Sequence, residues 1–165
     1  GEHPKGAYFT RGSGHNQYGA YTEDANEYQQ VVDRLRRKWE TAKSYVPGPE
    51  IHHREKNRVA IVSTGSCHSA VIEARERLKA AGTELNYMRL RAFPFDNKVE
   101  RFLAAHDQIY VVEQNRDAQL RSLLLLESNA DKDKLLPLLF YDGLPVTARD
   151  IVEAINQDQA KGVAA

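Results

Sequence analysis

From Arg58 onward, short continuous apolar runs alternate with stretches whose apolar residues recur every three or four positions. Val59-Ala60-Ile61-Val62 reads as a strand buried on both faces. Ser63-Thr64-Gly65-Ser66 turns the chain, and Ser66 is placed to cap a helix carrying Val71, Ala74, Leu78 and Ala81. Gly82 stands where a left-handed residue ends a helix. A second strand, roughly Leu85 to Leu90, leads through Pro94 to Asp96 and a helix with Val99, Phe102 and Leu103. Ile109-Tyr110-Val111-Val112 is a third strand, ending at Glu113-Gln114-Asn115. A helix through Leu120 and Leu123–Leu126 comes next, then a short polar helix near Asp131–Leu136 and a fourth strand, Leu138–Tyr141. Asp142-Gly143 turns it, and Thr147-Ala148-Arg149-Asp150 has the form of a capping box before the last helix. Strands alternating with helices predict an α/β fold: three layers, α/β/α, with a mostly parallel sheet and right-handed crossovers. Strand order is not readable at this level.

The first part of the chain follows another pattern. Residues 1–22 are rich in Gly, Tyr and small polar groups, with neither helical nor alternating periodicity, and read as an extended or looped arm. Thr22-Glu23-Asp24 supplies a capping hydroxyl and two acids for a helix whose Tyr28, Val31, Val32, Leu35, Trp39 and Ala42 form one apolar stripe. Pro47-Gly48-Pro49 ends that helix, and the polar stretch Glu50 to Asn57 reads as a linker. The expected division is therefore 1–57 for arm, long helix and linker, and 58–165 for the α/β domain. Gly1 reads as a remnant of tag cleavage and Ala7-Tyr8-Phe9 as an ordered opening, so a fragment of a longer polypeptide is expected.

Charge narrows the function classes. The 165 residues hold 23 basic and 23 acidic side chains, which gives no electrostatic case for nucleic acid or an anionic membrane. No apolar run approaches a spanning helix. The single Cys67 excludes an internal disulfide framework and suits a reducing cytoplasm. At the first turn of a helix its thiol could be activated by the dipole, but no paired His or resolving Cys accompanies it, so a buried bystander is expected. His52-His53 lacks the spacing of a helical metal pair, and no metal site is expected.

Ligands and partners of open α/β sheets meet the carboxyl ends of the strands. Those ends carry Thr64, Ser66, Arg91, Glu113, Asn115, Arg116 and Asp142, a partner-facing edge or simply solvated turns. In the arm, Arg11 suits a carboxylate, and His15 can donate to or accept from a carbonyl. Its glycines make no phosphate cradle, since no Gly-Lys-Ser/Thr follows. No catalytic constellation emerges from these residues.

Five motifs, in order, carry a resemblance over residues 7–155. They are Thr10-Arg11-Gly12-Ser13-Gly14-His15-Asn16 through Tyr18-Gly19-Ala20-Tyr21-Thr22-Glu23-Asp24, and Arg34-Leu35-Arg36-Arg37-Lys38. Then come Leu90-Arg91-Ala92-Phe93-Pro94-Phe95, Val111-Val112-Glu113-Gln114-Asn115-Arg116-Asp117 and Tyr141-Asp142-Gly143-Leu144-Pro145. The chain resembles the alpha subunit of 2-oxoacid:ferredoxin oxidoreductases, particularly the 2-oxoglutarate type. The resemblance implies a Rossmann-like C-terminal domain similar to the one that ends transketolases. It implies a full enzyme that decarboxylates a 2-oxoacid on thiamine diphosphate with magnesium, reduces ferredoxin through an iron–sulfur cluster and passes the acyl group to coenzyme A. Implied partners are the upstream domains of the same subunit, a beta subunit carrying thiamine diphosphate and the cluster, and ferredoxin. This chain is expected to bind none of these cofactors alone, to contribute no catalytic residue and to be inactive in isolation. If the arm points toward the substrate cavity of such an enzyme, Arg11, His15, Asn16 and Thr22 are its candidate residues there, Arg11 and Thr22 for a substrate carboxylate. Two alternatives keep the scaffold: the C-terminal domain of a transketolase or 2-oxoacid dehydrogenase beta subunit, and a stand-alone α/β interaction module. A docked domain taken from its assembly should expose a contiguous apolar patch.

Overall fold

The computed structural model describes residues 2–4, 6 and 14–163, with backbone alone at 162 and 163. The chain divides into two compact units, Gly1–Val46 and Pro47–Ala165.

In the first unit, residues 14–22 form a small hairpin closed by a bridge between His15 and Tyr21 and by Thr22 N–H donating to the Gly14 carbonyl at 3.1 Å. Asn16 organises its tip. The side-chain oxygen accepts from the amides of Tyr18 and Ala20 at 3.0 and 3.2 Å, while Gly19 turns the backbone at φ +79°. Helix α1 spans Ala25–Ala42. Its cap is Asp24, whose carboxylate accepts from the amides of Asn26 and Glu27. Thr22, expected as the capping hydroxyl, instead accepts from the Asp24 amide at 3.1 Å, one step earlier. Val31 is the one buried side chain of this helix.

The second unit holds strands β1 (Glu50–His52), β2 (Val59–Thr64), β3 (Asn86–Leu90), β4 (Gln108–Glu113) and β5 (Leu135–Leu139). Helices α2 (Cys67–Ala80), α3 (Asn97–Ala104), α4 (Gln119–Glu127) and α5 (Ala148–Val163) alternate with them. The sheet order is β1-β3-β2-β4-β5, with β1 antiparallel to β3 and every other pair parallel. The fold is therefore α/β with a mostly parallel sheet between two helical layers. Ile61, Tyr87, Tyr110 and Val112 face α2 and α5, where Val71, Leu78, Ile151 and Ile155 meet them. Ala60, Val62, Met88, Ile109 and Val111 face α3 and α4, against Phe102, Leu103 and Leu124. Alternate residues of one strand thus feed opposite cores, which is why the strands read as continuous apolar runs.

Three local expectations need correction. Glu50–His52 is not linker but an edge strand, its polar side chains tolerated because one side of it has no neighbour. The fourth parallel strand is Leu135–Leu139 rather than 138–141, preceded by a 3-10 turn at Lys132–Lys134. Pro137 fits there because β5 is also an edge, where a missing N–H costs no ladder bond. Ser66 sits at the cap position of α2 without a side-chain capping bond. By contrast Thr147 and Asp150 do form the reciprocal capping box, and Gly82 is left-handed at φ +92° after α2.

A buried polar hub ties β3 to its surroundings. The Asn86 side-chain oxygen accepts from the Arg54 amide at 2.8 Å, and its nitrogen lies at 3.1 Å from the carbonyls of Arg54 and Asn57. That nitrogen also donates to Nε2 of His106 at 2.8 Å, while His106 Nδ1 donates to the Phe102 carbonyl at 2.7 Å. This arrangement requires a neutral His106 protonated on Nδ1, because a charged ring would aim a second proton at the amide. Burial holds its pKa below the ordinary value, outweighing the Phe102 carbonyl. The unfolded chain takes up that proton near pH about 6.5, the folded chain only below it, so acidification through that range favours unfolding. Urea denaturation should show stability falling from pH about 7 to 5, with a shallower slope in His106→Gln. Asn86→Ala is expected to cost about 2–3 kcal/mol in the same measurement.

Candidate functional site

Strands β2 and β4 are neighbours, but their following helices leave on opposite faces of the sheet, α2 against one core and α4 against the other. This opens a crevice at the strand ends, the topological switch point where ligands of such sheets collect. A cavity of about 310 Å³ lies there, lined by Thr64, Ser66, Cys67, Glu113, Asn115 and Leu120 among others.

Its polar groups are braced to one another. Glu113, 3 % exposed at the end of β4, accepts from the amides of Leu120 at 2.6 Å and Arg121 at 3.0 Å and from the Asn115 side-chain amide at 2.7 Å. The Asn115 oxygen accepts from the amides of Asp117 and Gln119 at 3.1 and 3.2 Å. Glu113 and Asn115 thereby cap α4, whose own cap residue, Ala118, is left-handed at φ +50° and offers no side-chain acceptor. Gln114 spans the crevice mouth. It donates to Ser66 Oγ at 2.8 Å and accepts from the Val146 amide at 3.1 Å. Thr64 donates to the Leu90 carbonyl at 3.0 Å. Burial raises the Cys67 thiol pKa, with Glu113 nearby acting the same way and the Gln114 hydrogen bond opposing, so the thiol is disfavoured as a nucleophile.

Of the strand-end residues expected from sequence, Thr64, Ser66, Glu113 and Asn115 come together here. Arg91 belongs elsewhere, donating to the Gly48 carbonyl at 2.8 Å and to Glu50 at 3.1 Å beside the edge strand. Arg116 pairs with adjacent Asp117 at 2.8 Å in solvent. Asp142 accepts from the Leu144 amide and closes its own turn. In the other unit, His15 Nδ1 lies 2.9 Å from the Asn16 carbonyl, and Asn16 and Thr22 hold the hairpin as described. Arg11 falls outside the described residues. Sequence reasoning missed Gln114 as a bridging residue. Its only signal was an amide between two other polar residues at a strand end.

The Glu113 carboxylate is engaged by the helix terminus, the Thr64 hydroxyl donates to a carbonyl, and Ser66 Oγ accepts from the Gln114 amide. Among the described residues no group of three or more His, Cys, Asp or Glu is placed to hold a metal, and no helix is long and apolar enough to cross a membrane.

No protein-family model matches the chain. It is similar to the alpha subunits of 2-oxoacid:ferredoxin oxidoreductases. The subunit from Aeropyrum pernix is 27 % identical over 148 residues, covering 87 % of this chain and 23 % of the relative. The one from Saccharolobus solfataricus is 25 % identical over 156 residues, covering 92 % of this chain and 24 % of the relative. The chain thus spans about a quarter of the length of these relatives. A solved 2-oxoglutarate:ferredoxin oxidoreductase from Magnetococcus marinus, with 2-oxoglutarate, coenzyme A and succinyl-CoA bound, has the same fold at a TM-score of 0.80. It is 24 % identical, the match covering 93 % of this chain and 27 % of that one.

Glu113→Gln turns one acceptor into a donor facing helix amides and should lower stability by about 1–3 kcal/mol in urea titration. Cys67 should react with iodoacetamide at least roughly tenfold more slowly in the native chain than in denaturant, as followed by mass spectrometry.

Proposed function

We propose that this chain is the C-terminal α/β segment of the alpha subunit of a 2-oxoacid:ferredoxin oxidoreductase of the 2-oxoglutarate type. The observation that carries this reading is the likeness to such subunits along 87 % and 92 % of the chain, joined to a shared fold at a TM-score of 0.80. The whole enzyme oxidatively decarboxylates a 2-oxoacid, forms an acyl-CoA and reduces ferredoxin in the cytoplasm. Thiamine diphosphate, magnesium, coenzyme A and the iron–sulfur cluster are held outside this chain. Its donor set does not fit a cluster or a metal, with one cysteine that is buried and, among the described residues, no multidentate group.

What the segment contributes is shape. The braced rim of Thr64, Ser66, Glu113 and Asn115 meets the upstream domains or the beta subunit. The arm reaches the substrate cavity, where Arg11 and Thr22 meet the substrate carboxylate and His15 and Asn16 orient neighbouring groups. Domain division follows function: arm and long helix make one piece, the α/β layer the other. The isolated chain has no turnover.

The test is assembly of the complete alpha subunit with its beta subunit, followed by 2-oxoglutarate-dependent and coenzyme A-dependent ferredoxin reduction. Activity is expected from the complex and not from this chain alone. Arg11→Ala should raise the apparent KM for 2-oxoglutarate at least about tenfold. Absence of turnover with every 2-oxoacid tried would overturn the enzyme reading, and an unchanged KM would remove Arg11 from the cavity.

A further inference from the structure

At the amino end of β3, away from the strand-end crevice, a cavity of about 340 Å³ opens between the loop after β1 and the later turns of α2. Its walls bring Arg54 from the loop and Arg75 and Lys79 from the helix against Glu76 and Glu84, three cations to two carboxylates. Two of the cations share one acceptor. Arg54 Nε at 3.1 Å and Lys79 Nζ at 3.7 Å both approach Oε1 of Glu84. Side chains from separate elements thus converge on a single point, where one carboxylate charge does not match both. The backbone that carries Arg54 is fixed by the Asn86 side chain, which accepts from its amide at 2.8 Å and donates to its carbonyl at 3.1 Å. Arg75 is fixed as well, with Nε and Nη2 donating to the Leu85 carbonyl at 3.1 and 3.0 Å and the guanidinium 5.6 Å from the centre of the Tyr87 ring. Burial holds its pKa below the ordinary value, outweighing the acids nearby, so its charge is incompletely offset. Asn57 Nδ2, closed off from solvent in the cavity wall, has no acceptor among the described residues, although buried donors are normally paired.

Such walls select their occupant. A metal ion would meet an excess of positive charge, and among the described residues no group of three or more His, Cys, Asp or Glu gathers to hold one. An apolar ligand would take water from charged groups without pairing them. A carboxylate offers oxygens in one plane, whereas a phosphate offers three strong acceptor oxygens to donors that arrive from different elements.

We propose that this cavity binds a small phosphomonoester as its dianion, the phosphate group seated where Arg54 and Lys79 converge. The guanidinium and the ammonium supply charge-assisted bonds, and His52 and His53, which border the same cavity, can each donate a ring N–H. Asn57 is itself partly exposed, so a turn of its side chain brings the unpaired N–H to a further oxygen. The cavity volume falls in the range of small-molecule sites, about 300–1,000 Å³, and leaves room for the esterified part. Binding here is a property of the α/β unit alone and uses none of the crevice residues, so it holds whichever enzyme the chain serves.

Isothermal titration calorimetry of the full chain at fixed ionic strength tests this, with inorganic phosphate, glycerol 3-phosphate and the dicarboxylate succinate as probes. The ester should bind once per chain with a Kd below about 1 mM, inorganic phosphate should bind at the same site, and succinate should be at least about fivefold weaker than the ester. Lys79→Ala should weaken ester binding at least about fivefold, and Glu84→Gln, which removes the competing carboxylate, should tighten it about threefold. Arg77→Ala removes an equally exposed cation of the same helix that pairs with Glu73 outside the cavity, and it should leave the affinity unchanged. Circular dichroism of each variant guards against unfolding. No heat with either phosphate, binding of inorganic phosphate without the ester, or succinate as tight as the ester would each overturn the proposal. So would the same loss of affinity in Arg77→Ala as in Lys79→Ala, which is the mark of diffuse surface attraction, or a Glu84→Gln variant that binds more weakly.

Discussion

A carboxylate held out of water at the end of a central strand governs how the strand-end rim is built. Two helices that depart from adjacent strands to opposite faces leave a gap between them, and the first amides of each must find acceptors. At α4 the cap position is Ala118, which offers none. Glu113 supplies the missing acceptors from the strand itself, Oε1 for Arg121 and Oε2 for Leu120, and Oε2 also accepts from Asn115, whose side-chain oxygen serves the preceding amides of Asp117 and Gln119. The same helix terminus offsets the desolvation of a charge that would otherwise be costly to bury. Gln114 extends the brace to α2 through Ser66 and to the approach of α5 through Val146. Three consecutive polar residues thus fix the relative positions of separate loops around the crevice.

How much of this could be read from the chain depends on whether a feature lives in local periodicity or in tertiary contact. Val59–Val62, Ile109–Val112 and the helices between them were legible because burial on both faces leaves continuous apolar runs. Glu50–His52 was not, since a three-residue edge strand with exposed side chains carries no periodic signal. Only its pairing with Tyr87, Met88 and Arg89 makes it a strand. Pro137 hid β5 in the same way, because a proline argues against a strand until its edge position is known. At the site, the clustering of Thr64, Ser66, Glu113 and Asn115 followed from the rule that strand ends gather, whereas the diversion of Arg91 to Glu50 depended on that unseen edge strand. The Asn86 and His106 hub was invisible for a related reason: its partners, with the His53 ring 3.1 Å from the Asn86 amide, stand up to 33 residues away in sequence.

The two units differ in how they are held together. The α/β unit has a core on each face of its sheet and polar hubs at both ends of its strands. The first unit has a hairpin organised by Asn16 and a long helix that buries a single residue. Hydrogen bonds organise such a hairpin but stabilise it little, about 0.5–1.5 kcal/mol each, and helices in proteins draw most of their stability from packing of an apolar face. Exposed large apolar side chains occur in both units, Tyr28, Val32 and Leu35 on α1 in the first and Tyr141 and Leu144 at the turn after β5 in the second.

That contrast extends to what the rim can offer chemically. Glu113, Gln114 and the Asn115 oxygen are engaged with backbone amides and with Ser66, so a ligand that took a hydrogen bond from one of them would displace an existing one, and the net gain would be small. Bracing of this kind fixes the shape of the crevice, because moving any one of the three side chains breaks contacts to separate loops at once.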